Sequence, residues 1–186
     1  MRTRGERSRL LLGAALLLAA CDNTTGLPVA NIANVVDTIS LYALDGTSLP
    51  LPSGYVITSK TVVRTDQRSD FDFAFNITPA GQAVLLPTGA VGLGVSSGID
   101  TLNVPFDAVK TAPTTKYIDS LPVAVDSGAV LVAHSRPVTC SFGAIVFYYG
   151  KIEILAVDTI ARRIDLRVLV DQNCGYRDLE PGIPRR

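Results

Sequence analysis

Few residues in this chain are equipped for covalent or acid–base chemistry. There is one histidine, His134, and there are three cysteines and no tryptophan. The serine with the most suggestive neighbours is Ser96, in Gly94-Val95-Ser96-Ser97-Gly98. That stretch has the Gly-x-Ser-x-Gly spacing of a nucleophile elbow, in which flanking glycines let a serine sit on a sharp strand-to-helix turn. A serine nucleophile needs a base. His134 lies downstream, with Asp107, Asp119 and Asp126 between them, so the chain order serine, acid, histidine is available for a hydrolase. The following residues, Ile99-Asp100-Thr101-Leu102-Asn103-Val104-Pro105, do not start a helix, and no glycine-rich oxyanion loop precedes the serine. Extracytoplasmic serine hydrolysis through Ser96 and His134 therefore stands as the alternative reading.

Other constellations are thinner. Gly89, Gly92, Gly94 and Gly98 suggest a phosphate cradle, but such a loop must open a helix to aim its amides at the anion, so a glycine-rich turn or bulged strand is expected. Asp70 and Asp72 share one side of an alternating run, yet Ca²⁺ takes six or more oxygens and no acidic loop of that density is near. A solvated strand face is expected there, and no cofactor or metal is assigned. For His134, a hydrogen-bonded structural role is expected.

The amino-terminal residues carry the strongest signal. Residues 1–9 hold four arginines and one glutamate, and residues 10–20 are eleven Leu, Ala or Gly. At about 1.5 Å per residue that run spans roughly 16 Å as a helix, about half a hydrocarbon core. It is the n-region and h-region of an export signal rather than a membrane span. The run ends in Leu18-Ala19-Ala20-Cys21, which resembles the bacterial lipobox. The resemblance covers the export segment alone. It implies cleavage before Cys21, acylation of the Cys21 thiol and attachment to a membrane through the acyl chains, so the location expected is the cell envelope, facing the periplasm or the exterior. An ordinary secretory signal cleaved near Ala20 is the competing reading.

Removing residues 1–20 takes four basic and one acidic side chain from totals of 17 and 17, leaving 166 residues at a net charge of −3. No basic patch suggests nucleic acid. Residues 21–34 are small and polar with Gly and Pro, and read as a lipidated flexible tether. Residues 35–186 are expected to form a single β-domain. Cys140 and Cys174 remain as an even pair in a disulfide-permissive compartment, and are expected to be bonded.

The elements that must position these residues are short strands. Strand patterns fall at residues 35–44, 55–65, 70–77, 82–86, 101–106, 129–135, 144–157 and 163–171, interrupted by prolines and glycines. In residues 70–77 Phe71, Phe73, Phe75 and Ile77 are expected on one face. The last two strands form a hairpin across Asp158–Arg162. A symmetric loop places Glu153 opposite Arg167 and Ile154 opposite Leu166, matching charge with charge and apolar with apolar. About seven to nine short strands without alternating helices predict an antiparallel β-sandwich or a partly open barrel. With no coherent catalytic set, the leading expectation is a lipid-anchored domain that binds an envelope protein or polymer, or serves a structural role.

Overall fold

A computed structural model of the chain describes residues 28–140 and 143–184; the segment expected to act as an export signal, and Cys21, lie outside them. Two antiparallel five-stranded sheets face each other across a shared core, so of the two expected architectures the chain adopts the sandwich. The first sheet runs β1 (Val36–Tyr42), β12 (Arg163–Asp171), β11 (Tyr149–Asp158), β8 (Val130–His134) and β6 (Gly98–Leu102). The second runs β3 (Thr61–Val63), β2 (Gly54–Val56), β4 (Phe73–Ile77), β5 (Ala83–Pro87) and β7 (Val123–Ala124). A ribbon of β9 (Val138–Thr139) and β10 (Ile145–Val146) completes the described strands.

The hairpin of β11 and β12 has the register its charges predict: Glu153 pairs with Arg167 and Ile154 with Leu166. A bulge at Leu155 then shifts the remaining pairs, so Ala156 lies opposite Asp165. Inserting one residue on one strand bends it and leaves the inserted side chain unpaired. Ile164, Leu166, Val168 and Val170 point into the shared core, where they meet Tyr55, Phe73, Phe75 and Leu85 of the second sheet.

Three expected strands need correction. Residues 55–65 are two strands, β2 and β3, because Lys60 adopts a left-handed conformation (φ 53°) and turns the chain. Residues 144–157 are broken into β10 and β11 at Phe147 and Tyr148. The strand expected at 101–106 starts earlier, as β6, and gives way to a 3₁₀ turn at Phe106–Ala108. The even alternation of residues 70–77 also fails at its start. The chain bends at Asp72, so Phe73, Phe75 and Ile77 face the shared core while Phe71 packs on the outer side of the second sheet with Val56, Val63, Ala74, Val84 and Leu86.

Both sheets are therefore covered on their outer faces too. On the first, Phe106, Val109, Ala112 and Leu179 close over Val130, Val132 and Leu169. This explains why β5 and β8 are apolar along their length rather than alternating: each is buried on both faces.

The amino-terminal segment is built in. The Asn31 and Ile32 amides donate to Asn173 Oδ1, Ala30 N donates to the Tyr176 hydroxyl, and Asn34 is 2% exposed. Residues 30–34, expected in the flexible tether by composition, are thus docked on the carboxy-terminal tail by donors that sequence composition does not reveal. Cys140 and Cys174 stand at disulfide distance with Cα atoms 6.0 Å apart, fastening the β9–β10 ribbon to the end of β12. Closing a loop of this length limits the unfolded chain, so replacing both cysteines with alanine is expected to lower the unfolding free energy by about 3–4 kcal/mol in a denaturant titration.

Candidate functional site

Ser96, Ser97, Asp72, Arg136 and His134 are gathered at one end of the sandwich, where the chain passes between the sheets. Pro87 ends β5, a 3₁₀ turn follows at Thr88–Val91, and the glycine-rich stretch leads into β6 of the other sheet. The strand-to-helix turn of a nucleophile elbow is not formed, because a strand follows Ser97. The loop instead wraps around Thr88. The Thr88 hydroxyl oxygen accepts hydrogen bonds from Ser96 N (3.2 Å) and Ser97 N (3.1 Å), and the Ser96 hydroxyl lies 3.2 Å from it. Ser97 is 1% exposed; its hydroxyl accepts from Thr88 N and donates to the Asp72 carbonyl.

Asp72 is the buried centre of this end. It was expected on a solvated face, yet its residue is 1% exposed. The bend that moves Phe71 outward turns its carboxylate inward. There Oδ2 accepts from Ile57 N at 2.6 Å, and Oδ1 accepts from Arg136 N at 2.7 Å and Arg136 Nε at 3.3 Å. Burial pushes its pKa upward against these donors and the Arg136 charge, which favour the ionised form. Asp70, the other half of the expected acidic pair, stays outside in an ion pair with Arg68. The two carboxylates therefore serve separate structures and do not converge on a cation.

His134 closes β8 opposite Gly98 and Tyr149. Its ring meets Tyr117 edge-on (centroids 4.7 Å) and Phe147 (4.6 Å), and Nδ1 lies 2.9 Å from the Ser135 carbonyl, which makes Nδ1 the donor. Gly98 permits this packing. A Cβ there would stand 2.7 Å from His134 Nε2 and 2.8 Å from Tyr117 Cβ, closer than carbon atoms approach. Burial lowers the His134 pKa, while the Ser135 carbonyl and the fields of Asp72 and Asp119 oppose the shift. No hydrogen bond joins His134 to Ser96. Of the three candidate acids, Asp107 pairs with Arg167 at 3.0 Å and Asp119 accepts from the Ser120 hydroxyl, whereas Asp126 sits in the turn before β8. The structure brings Ser96 and His134 to the same end of adjacent segments and gives each a different partner.

Lys151 is a buried cation that the strand pattern does not mark. It lies on the outer face of β11, 2% exposed, because the Phe106 turn covers it. Its ammonium donates to the Phe106 and Val109 carbonyls, both at 3.0 Å, and stands 4.4 Å from the centre of the Phe106 ring. Arg167 lies over the same ring at 4.2 Å. Burial lowers the Lys151 pKa. Both carbonyls and the ring are occupied by holding the turn in place. Alternation marks Lys151 as an outward residue, and nothing local says that the outer face is covered.

Among the described residues, no three His, Cys, Asp or Glu side chains converge as metal ligands, and no helix is long and apolar enough to cross a membrane. The chain matches no family model and no curated protein.

Two outcomes follow from this geometry. Asp72→Ala leaves the Ile57 and Arg136 amides buried without an acceptor, and is expected to cost about 3–5 kcal/mol in denaturant unfolding. His134 holds its proton less firmly folded than unfolded. Its contribution is complete above the unfolded pKa, about 6.5, and is lost as pH falls through the lower folded value. The stability of the native protein relative to His134→Phe is therefore expected to decline on acidification from pH 7.5 to 5, as measured by paired unfolding curves.

Proposed function

We propose that this chain is a lipid-anchored β-sandwich of the bacterial cell envelope, held to a membrane through acyl chains on Cys21 and acting by binding or by structural support rather than by catalysis. The observation that carries the reading is the sequence Leu18-Ala19-Ala20-Cys21 after a basic segment and an eleven-residue apolar run. One acyl chain gives marginal membrane binding, whereas two or more anchor stably. The Cys140–Cys174 pairing accords with an oxidising compartment. The buried polar groups accord with a structural role, since Asp72 and Ser97 at the crossing end and Lys151 on the outer face of β11 are committed to backbone partners.

The test is acylation in a bacterial host. Expression with labelled palmitate is expected to label the full-length chain, and intact mass of the membrane-extracted protein is expected to show an acylated mature form beginning at Cys21. Cys21→Ser is expected to abolish labelling and release the protein from the membrane fraction. An unlabelled native chain in the soluble fraction would overturn the proposal.

A further inference from the structure

Residues 28–36 contain no charged side chain, and four aliphatic residues in or beside this segment are held outward. An antiparallel bridge joins Asn34 to Gly182, with Asn34 N donating to Gly182 O at 2.7 Å and Gly182 N to Asn34 O at 3.0 Å. The Asn34 side chain turns inward and donates to the Asp178 and Glu180 carbonyls. Alternation across such a bridge places Val35 and Ile183 on the other face, and they are 59% and 53% exposed. Ile32 and Val29 precede them at 42% and 73% exposure. The backbone beneath is fixed by the Asn173 and Tyr176 hydrogen bonds, so seating these side chains in an apolar medium orders little that is not already ordered.

We propose that Val29, Ile32, Val35 and Ile183 form the face that rests on the lipid bilayer. The inference depends on the lipid anchor at Cys21, and the length of chain between anchor and domain carries it. Residues 21–27 span at most about 25 Å when fully extended. A domain of this size has a radius of gyration of about 15 Å and is about 40 Å across. The tether is shorter than the domain is wide, and it enters the structure beside Val29. That surface is thus kept at the membrane while the β11–β12 turn at the far end of the long strands is kept away. Among the described residues, Asp178 and Glu180 border the face, and Lys110 pairs with Glu180.

The chain has no tryptophan, so one placed on the surface reports its surroundings alone. Val35→Trp and Ile183→Trp are made in the mature chain, with Ile160→Trp at the 95% exposed far turn as reference. The Cys21 thiol of each is coupled to a maleimide lipid in phosphatidylcholine vesicles with or without brominated acyl chains. Bromine is expected to quench the Val35→Trp and Ile183→Trp proteins by about half and the Ile160→Trp protein by less than about a tenth, the reach of the quencher being confined to the acyl region. Equal quenching of all three, or none, would overturn the inference. Because the anchor is installed chemically, that failure counts against the surface, whereas missing palmitate in cells counts against the anchor.

Discussion

The buried carboxylate of Asp72 is the constraint from which the crossing end of the sandwich follows. A lone ionised carboxylate in a protein interior is costly by several kcal/mol, and it is tolerated where donors are fixed around it. Here the donors come from both sheets: Ile57 follows β2 of the second sheet, and Arg136 follows β8 of the first. The same residue's carbonyl accepts from Ser97, which introduces β6 of the first sheet. One residue thus fixes three chain segments at the point where the sheets are joined. With those segments fixed, the loop around Thr88 closes and Gly98 comes to lie under the His134 ring. The bend that brings Asp72 inward is also what sends Phe71 to the outer face, so a polar requirement reorganises the apolar pattern of its own strand.

A second dependence runs through the outer face of the first sheet. The Phe106 ring contacts two cations there, Lys151 and Arg167, and each cation has another partner: Lys151 the turn's own carbonyls, Arg167 the carboxylates of Asp107 and Glu153. The turn so held gives the carboxy-terminal tail a surface to pair with. Thr111 bridges Asp178, Ala112 N donates to Arg177 O, and Leu179 N donates to Lys110 O. The tail in turn gives Asn34 its partners. The order of support therefore runs from β11 and β12 through the 3₁₀ turn to the tail and finally to the amino-terminal segment, whose composition alone describes a linker.

What could be read in advance was whatever depends on neighbours in sequence or on direct cross-strand pairs. The Glu153–Arg167 and Ile154–Leu166 pairs fix a register because a one-residue slip would set Arg167 against an apolar partner. The core face of β12 is legible for the same reason. The bulge at Leu155, the bend at Asp72 and the left-handed Lys60 are single-residue departures that leave the average pattern intact, so periodicity passes over them. The burial of Lys151 is of another kind. It depends on a turn some 45 residues earlier folding across the sheet, and no local pattern carries that information. The Gly94–Gly98 motif shows the converse. Its spacing is that of a catalytic turn, but the spacing is satisfied equally by a loop that must fit close under Tyr117 and His134.

The arrangement of the ends gives the proposed anchor a consequence for what the domain presents outward. β12 is nine residues long, about 30 Å at the rise of an extended strand, and it runs from the Arg163 turn to the Asn173 region where the amino-terminal segment docks. An anchor entering at the docked end therefore directs the opposite end away from the membrane. That end is rigid. Arg162 donates to the Asp45 and Ile77 carbonyls and its own carbonyl accepts from Ala43 N, joining loops from both sheets, while Asp158 Oδ1 accepts the Ile160 and Ala161 amides. A preorganised rim favours contact, because ordering a loose loop at the moment of contact would consume part of the contact energy. Sandwich domains present their loops at the two ends, and here one end is covered by residues 30–34 and the carboxy-terminal tail. Under the proposed anchoring, the Arg162-braced rim is the end turned away from the membrane.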